Sequence, residues 1–374
     1  MVSLARKNLL HDRLRFVITV AGVAFAVTLV LVQVGLFMGL LDKATVTIQH
    51  ASADIWVTSK ETPNVDFAHT FPETRALRVR GLAGVARADN LIVQFMNIQL
   101  PTGAEEGCLV YGLEDFAAWN LPWQVEAGDV RDLKRGDYVF MDRSAERRFG
   151  PFAIGEHREI FGRRFRIVGS TRGAASFTTA PIVFMDYRRA QELHQSLPGK
   201  AQYILVRLEP GADPQQVKAA IERRLPFNDV YTKDEWARRS RAYWVVSTGL
   251  GMNMGITVFL GILVGIVVVA QTLYTSAVEH VKEFGTVKAI GGSNWDIYRI
   301  LGEQALIAAV VGYAIGCLMS LAMRPAMAKL YLNVLISPGF AAAVFVGTLL
   351  MCLGAAMLSF KRVAGIDPAL VFRT

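Results

Sequence analysis

The chain has 374 residues, of which 52% are hydrophobic and only 19% are charged, and its formal net charge is +8. Because soluble proteins carry about 25% charged residues, this composition disfavours a disordered chain, a disulfide-rich scaffold and a single soluble enzyme. The shortage of charge is concentrated in particular segments.

Four segments contain no Asp, Glu, Lys or Arg, and each reaches the roughly 20 residues that a membrane-spanning helix needs. They are residues 16–41, 242–278, 304–323 and 330–360. We predict transmembrane helices at 16–41, 245–273, 298–323 and 340–360. A cleaved signal peptide is a competing interpretation of the first segment. Its apolar run is longer than the roughly 7–15 residues of signal sequences, so we favour an uncleaved anchor.

Basic residues beside membrane-spanning helices indicate which side of the membrane their flanks occupy. Here they precede the first predicted helix, separate the second from the third and follow the fourth: Arg6, Lys7, Arg13, Arg15, Lys282, Lys288, Lys361, Arg362 and Arg373. We therefore expect the N-terminus (1–15), a loop (274–297) and the tail (361–374) in the cytoplasm. The segment 42–244 and the short loop 324–339 are expected on the outer side.

The long outer segment has the charge density of a soluble domain. Residues 42–241 hold 28 basic and 26 acidic side chains, so most of the +8 lies in the membrane part, and a nucleic-acid-binding domain is excluded. Compact or alternating apolar runs predict strands at 53–58, 91–100, 108–112, 138–141, 164–169, 181–185 and 203–208. Helices are predicted at 142–149, 186–195 and 213–225. The prediction is an α+β domain, with a possible division into two lobes near Leu197-Pro198-Gly199.

The Asp residues that open two of these helices have the short acidic side chain favoured at helix N-termini. Asp186 and Asp213 are the predicted caps, and Pro214 suits the first helical position.

We find no motif for catalysis or metal binding in the sequence. It lacks G-x-S-x-G, H-E-x-x-H and C-x-x-C, and the six His residues show no metal-ligand spacing. It also lacks the G-x-x-x-x-G-K-[ST] loop that binds nucleotide phosphates. We predict a protein that is not an enzyme, with no catalytic residue and no metal or cofactor of its own.

The joints between the domain and the first two transmembrane helices lack Gly and Pro. We predict that both helices continue outward as stalk helices, because the second charge-free segment is longer than the bilayer thickness. Basic and aromatic residues at that exit are predicted to lie near the membrane–water interface. They are Arg238, Arg239, Arg241, Tyr243 and Trp244.

Glycines recur at four-residue spacing within the predicted transmembrane helices. The pairs are Gly35/Gly39, Gly251/Gly255, Gly261/Gly265 and Gly312/Gly316. Such pairs allow helices to approach closely, so they predict tight helix packing or dimerisation. Acidic or His relays are not visible inside the helices, which argues against ion-coupled transport.

The cytoplasmic segment 276–297 combines an apolar helical face with charged residues and ends in a double glycine. Its pattern E-x-x-x-E-F-G-x-x-K-A-I-G-G-S resembles the cytoplasmic loop of FtsX/MacB-type ABC transporter permeases. The tail A-G-I-D-P (364–368) resembles the closing motif of that family, and segments 110–116, 163–170 and 181–186 resemble the MacB periplasmic core. Segments 4–36 and 53–59 are similar to the DevC-type permeases of glycolipid exporters.

This resemblance implies a bacterial inner-membrane permease: four transmembrane helices with a MacB-like periplasmic domain between the first and second. It implies a second copy of the chain and a cytoplasmic ABC ATPase dimer that binds ATP and Mg. The implied contact residues are Glu279, Lys282, Glu283, Phe284, Gly285, Lys288, Gly291 and Gly292.

The resemblance also implies partners outside the membrane: a periplasmic adaptor (membrane fusion) protein and a TolC-like outer-membrane channel, together with membrane lipid. The expected function is export of a lipid-like or amphipathic substrate, driven by motions that the permease transmits mechanically. The alternative is a transmembrane signal transducer that transports nothing and regulates a cell-wall hydrolase. A membrane-anchored enzyme is a third, disfavoured class.

Overall fold

A computed structural model describes residues 13–177, 180–280, 286, 293–329 and 332–363. The chain divides into two units. A membrane unit comprises Met1–Gly39 and Leu250–Thr374, and an inserted domain comprises Leu40–Gly249. The chain therefore leaves the membrane unit once and returns to it once.

The described helices form two groups, long apolar ones and shorter ones in the inserted domain. In chain order they are α1 (Arg13–Lys43), α2 (Val46–His50), α3 (Arg75–Arg80), α4 (Glu146–Phe149), α5 (Tyr187–Leu193), α6 (Pro214–Arg224), α7 (Lys233–Ala242), α8 (Leu250–Glu279), α9 (Asn294–Ala328) and α10 (Pro338–Val363). In the described residues, four helices are long and apolar enough to cross a membrane: α1, α8, α9 and α10.

The inserted domain is built on a ten-stranded mixed sheet. Its strands and two short outlying strands are β1 (Ile55–Ser59), β2 (Phe71–Pro72), β3 (Val85–Gln99), β4 (Glu105–Leu113), β5 (Val125–Ala127), β6 (Tyr138–Asp142), β7 (His157–Ile160), β8 (Arg163–Thr171), β9 (Ile182–Asp186), β10 (Lys200–Ala201), β11 (Tyr203–Leu208) and β12 (Asn228–Thr232). The main path runs β12-β1-β11-β3-β4-β9-β6-β8-β5, and β7 pairs with β3 and β8. The expected α+β class is confirmed, with the domain between the first two span-capable helices.

Two separate hydrophobic cores cover the two faces of this sheet, because neighbouring side chains of a strand point to opposite faces. In β1, Ile55 and Val57 join the core that also contains residues of α3, α4, α5 and α6. Trp56, between them, joins the core that contains Ile48 of α2 and Trp236 of α7. The segments that enter and leave the domain therefore pack on the same face of its sheet.

The predicted caps are confirmed, whereas the predicted division into lobes is wrong. The Asp186 carboxylate accepts a hydrogen bond from the Arg188 N–H, and Asp213 accepts one from the Gln215 N–H. The turn at 197–199 leads into β10 and then β11, which pairs with β1 and β3 within the same continuous sheet. A turn containing Pro and Gly thus marks a short connection here.

On both paths where stalk helices are predicted, the helix is interrupted. After α1 ends at Lys43, Ala44 and Thr45 interrupt the helix before α2 begins. On the return path, α7 continues into a π-helical turn (Tyr243–Ser247), and Gly249 adopts a φ of 71° before α8 begins. Glycine adopts a left-handed φ more readily than other residues. Gly249 therefore separates the helical segment that begins with α7 from α8.

Candidate functional site

Of the predicted coupling loop (274–297), the structure describes residues 274–280, 286 and 293–297. Glu279 ends α8, and its carboxylate accepts a hydrogen bond from the guanidinium of Arg15 on α1. The side chains are 50% and 29% exposed, respectively. The other predicted loop residues lie outside the described residues: Lys282, Glu283, Phe284, Gly285, Lys288, Gly291 and Gly292. Near the end of the predicted loop, Ser293 caps α9 in a reciprocal arrangement with Asp296.

Helices α1 and α8 contact each other along their length. The hydroxyl groups of Thr19 and Thr272 are hydrogen-bonded at 2.9 Å, one turn from Arg15 on α1 and two turns from Glu279 on α8. A Cβ on Gly261 would lie 2.9 Å from the Leu29 side chain, and a Cβ on Gly265 would lie 3.1 Å from the Cβ of Ala26. The Gly261/Gly265 pair therefore allows the close approach of two helices that its spacing predicts.

The Gly312/Gly316 pair lets α9 approach α1 closely, at residues of α1 other than those that contact Gly261 and Gly265. A Cβ on Gly312 would lie 2.6 Å from Val23, and one on Gly316 would lie 2.7 Å from Val27. The Thr28 hydroxyl also donates to the carbonyl oxygen of Gly316 at 3.3 Å. Helix α1 is thus held by glycine-mediated contacts with both α8 and α9.

The other two glycine pairs have different surroundings within this chain. Gly35 and Gly39 pack against the extended segment that precedes α10. The Leu335 N–H donates to the Gly35 carbonyl oxygen at 2.9 Å. A Cβ on Gly39 would lie 1.9 Å from the carbonyl oxygen of Asn333. Gly251 lies in the first turn of α8, and a Cβ on Gly255 would have no neighbour within 4 Å.

One predicted exit residue, together with Lys233, connects the incoming and outgoing segments of the inserted domain. The Arg241 guanidinium donates to the Thr45 hydroxyl at 3.0 Å, and Thr45 lies at the break between α1 and α2. Lys233, at the start of α7, donates to the carbonyl oxygens of Gln49 and Ala51 at 2.8 and 2.9 Å. These bonds hold α2 against α7.

The remaining basic exit residues differ in their surroundings. Arg239 donates to the Thr62 carbonyl oxygen at 3.4 Å and lies 5.4 Å from the centre of the Tyr231 ring. Arg238 is exposed. Among the three arginines, two therefore make contacts inside the inserted domain.

The aromatic exit residues belong to a cluster in the inserted domain. Trp244 is only 7% exposed. Its ring stacks on Phe177 at 3.7 Å and lies 5.9 Å from Phe67, which also contacts Tyr243 and Phe95. The sequence predicts Trp244 near a membrane–water interface. In the structure its ring is buried by Phe67 and Phe177, which lie in two loops distant in sequence.

Several residues of these sites were not predicted from the sequence. The sequence indicates Arg15 only as a flanking basic residue, and it carries no signal that singles out Thr45, Phe67 or Phe177. In the described residues, no group of three or more His, Cys, Asp or Glu side chains could hold a metal ion.

The sequence matches the MacB-like periplasmic core domain over residues 16–224 and the FtsX-like permease C-terminal family over residues 255–368. The first match covers more than half of the chain. Together with the four span-capable helices, these matches identify a membrane protein with an extracytoplasmic domain. The chain belongs to the FtsX/MacB-type permeases of ABC transporters.

Among its relatives are an uncharacterised ABC transporter permease of Mycobacterium tuberculosis and the macrolide export ATP-binding/permease protein MacB of Agrobacterium fabrum. The first is 24% identical over 378 residues, covering 100% of this chain and 99% of the relative. The second is 26% identical over 267 residues, covering 69% of this chain and 39% of the relative.

A solved structure, the periplasmic region of MacB from Actinobacillus actinomycetemcomitans, matches with a TM-score of 0.41. Its sequence is 10% identical, and the match covers 50% of this chain and 92% of that one.

Proposed function

We propose that this chain is the permease subunit of an ATP-driven export complex that transmits ATPase motions mechanically to its inserted domain. A separate ATPase dimer would bind ATP and Mg and contact the loop after Glu279. The inserted domain would work with a periplasmic adaptor and an outer-membrane channel to expel a lipid-like or amphipathic substrate. This chain has no nucleotide-binding motif, so hydrolysis is assigned to the partner.

The observation that carries this proposal is a set of contacts between the segment that leads into the inserted domain and the segment that leads out of it. Such contacts are present in the membrane unit and again in the inserted domain. In the membrane unit, Arg15–Glu279 and Thr19–Thr272 join α1 to α8. In the inserted domain, Arg241–Thr45 joins the segments that continue from α1 and lead to α8. A displacement of α8 at its Glu279 end would therefore be shared with α1.

The proposed topology places both termini and the coupling loop in the cytoplasm and the inserted domain outside a bacterial inner membrane. It follows from the distribution of basic residues along the sequence. A homodimer is the proposed assembly, as membership of the FtsX-like permease family implies. Four span-capable helices in the described residues also leave little room for an enclosed pathway in one copy.

The experiment is reconstitution of the chain in lipid with its ATPase, followed by measurement of ATP hydrolysis and substrate release. Glu283→Ala and Gly285→Trp should reduce the stimulation of hydrolysis and abolish release. Unchanged stimulation together with unchanged release would refute the coupling-loop assignment. Mass spectrometry of lipids that co-purify with the complex would identify the substrate class.

The second candidate function is a transducer that regulates a periplasmic cell-wall hydrolase. It shares the same mechanical contacts, so the same reconstitution separates the two functions. A transducer would retain coupling-loop-dependent ATP hydrolysis but would release no lipid, whereas an added hydrolase would become active. The large inserted domain, with its ten-stranded sheet, favours the exporter.

A further inference from the structure

Asp66 is an acidic side chain buried in the inserted domain. It lies in the loop between β1 and β2 and is 3% exposed. Its backbone N–H donates to the Asn64 side-chain oxygen at 2.8 Å, and its carboxyl group accepts a hydrogen bond from the backbone N–H of Phe177. Within the described residues, the Asp66 Oδ2 atom has no hydrogen-bond partner.

The groups that surround Asp66 do not supply a countercharge. Tyr111 approaches from β4 and donates to or accepts from the Thr47 hydroxyl at 2.9 Å. Tyr203 approaches from β11 and donates to the carbonyl oxygens of Asn64 and Val65, each at 3.0 Å. Arg239 on α7 donates to the carbonyl oxygen of Thr62, in the same loop, and is not among the groups that shift the pKa of Asp66.

Burial therefore dominates the ionisation of this group. It raises the pKa of Asp66 to about 7, and the Phe177 hydrogen bond opposes it more weakly. Burial also raises the pKa of Tyr111 and Tyr203, so both phenols stay neutral. A buried carboxylate with one hydrogen bond is costly, whereas its protonated form can be accommodated without a charged partner.

The two loops that meet at Asp66 also hold Trp244. Phe67 follows Asp66 directly, and Phe177 supplies the N–H that binds the Asp66 carboxyl group. Their rings lie 5.9 and 3.7 Å from the Trp244 ring. Trp244 belongs to the π-helical turn that leads through Gly249 into α8. We call Asp66, Phe67, Phe177 and Trp244 the aromatic clamp.

We propose that Asp66 is a proton-operated latch: its neutral form keeps the aromatic clamp closed on Trp244, and its ionised form lets the two loops open. An open clamp would free the π-helical turn at the point where the inserted domain continues into the second span-capable helix. The latch is a property of the inserted domain and does not depend on the exporter assignment. Its effect on ATP hydrolysis would rest on that assignment.

The direction of the pH effect follows from proton linkage. The pKa of Asp66 is about 7 in the closed clamp and returns to its ordinary value near 3.8 when the loops open. The closed form therefore holds an extra proton between these two values. Opening becomes more favourable as the pH rises from about 4 to about 7, by up to tenfold per pH unit, and then levels off.

Amide hydrogen exchange of the full chain in lipid nanodiscs tests this proposal. After correction for intrinsic exchange, protection in segments 61–70 and 243–249 should fall at least tenfold between about pH 5 and about pH 8. Asp66→Asn keeps a neutral side chain and should give protection that does not change with pH. Tyr111→Phe removes a neighbouring hydroxyl and keeps the acid, so it should retain the wild-type pH dependence.

Wild-type protection that does not change with pH would overturn the latch, as would an Asp66→Asn variant with the wild-type slope. If Asp66→Asn fails to fold, shown by lost protection in β3 and β4, infrared spectroscopy decides instead. The protein for that measurement carries Asp186→Asn, because Asp186 is the other described acid whose pKa is raised by burial. A protonated-carboxyl band lost near pH 7 supports the proposal, and its absence near pH 5 refutes it.

Discussion

The Arg15 guanidinium and the Glu279 carboxylate join α1 to α8 at the ends that do not lead into the inserted domain. Glu279 is also the first acidic residue of the predicted coupling loop. The same carboxylate that the family motif assigns to ATPase contact is therefore engaged with the first span-capable helix. A partner that binds the loop would act on α1 and α8 together.

Replacing Glu279 with Gln should weaken coupling more than stability. The pair is partly exposed, and such pairs contribute about 0.2–1 kcal/mol, so the free energy of unfolding should fall by no more than that. ATPase stimulation should fall further, because the contact between α1 and α8 nearest the predicted loop would be lost. The exchanged pair Arg15→Glu with Glu279→Arg should recover part of the stimulation. Equal losses in the single and exchanged variants would show that Glu279 acts through the ATPase contact alone.

Gly39→Ala should destabilise the membrane unit, whereas Gly255→Ala should not. The new methyl group at 39 would lie 1.9 Å from the Asn333 carbonyl oxygen, but at 255 it would meet nothing within 4 Å. Overpacking of this kind costs about 1–3 kcal/mol, while Ala stabilises a helix interior by up to about 1 kcal/mol relative to Gly. Thermal unfolding in detergent measures both. Equal melting temperatures for the two variants would contradict the contact with Asn333.

The sequence predicts the fold of the inserted domain where a strand or helix carries its own pattern. Seven predicted strands match β1, β3, β4, β6, β8, β9 and β11. The unpredicted strands are short or rich in polar residues, such as β12 with the sequence NDVYT, and they form because they pair with a neighbour. Strand β12 pairs with all five residues of β1. Local pattern cannot reveal such a partner.

The candidate sites show the same limit. Glycine spacing predicts a close approach but not the approaching element, so Gly261 and Gly35 look alike in sequence although one faces a helix and the other an extended segment. Asp66 has the sequence context of a polar loop. Its burial depends on Tyr203 and Phe177, which are more than 100 positions away in the chain.

Thr45→Val should loosen α2 from α7. The variant keeps the shape of the side chain but removes the hydroxyl that accepts the Arg241 hydrogen bond at 3.0 Å. A bond of this kind contributes about 1 kcal/mol, and partial exposure of Arg241 reduces that figure. Hydrogen exchange in segment 44–51 should become several times faster, while β6 should be unaffected. Thr257→Val, which removes a hydroxyl bonded only within α8, is the matched control and should leave segment 44–51 unchanged.

Cys108 should be inert to thiol reagents in the folded protein, which makes the inserted domain suitable for topology mapping. Its side chain is fully buried in β4, and burial raises the pKa of its thiol to about 12. Since the thiolate is the reactive form, labelling at neutral pH should require a denaturant. The Phe227→Cys variant places a thiol at a position that is 73% exposed. In intact cells with a permeable outer membrane, an impermeant maleimide should label that variant and leave the wild-type domain unlabelled. Labelling at position 227 only after disruption of the inner membrane would reverse the proposed topology.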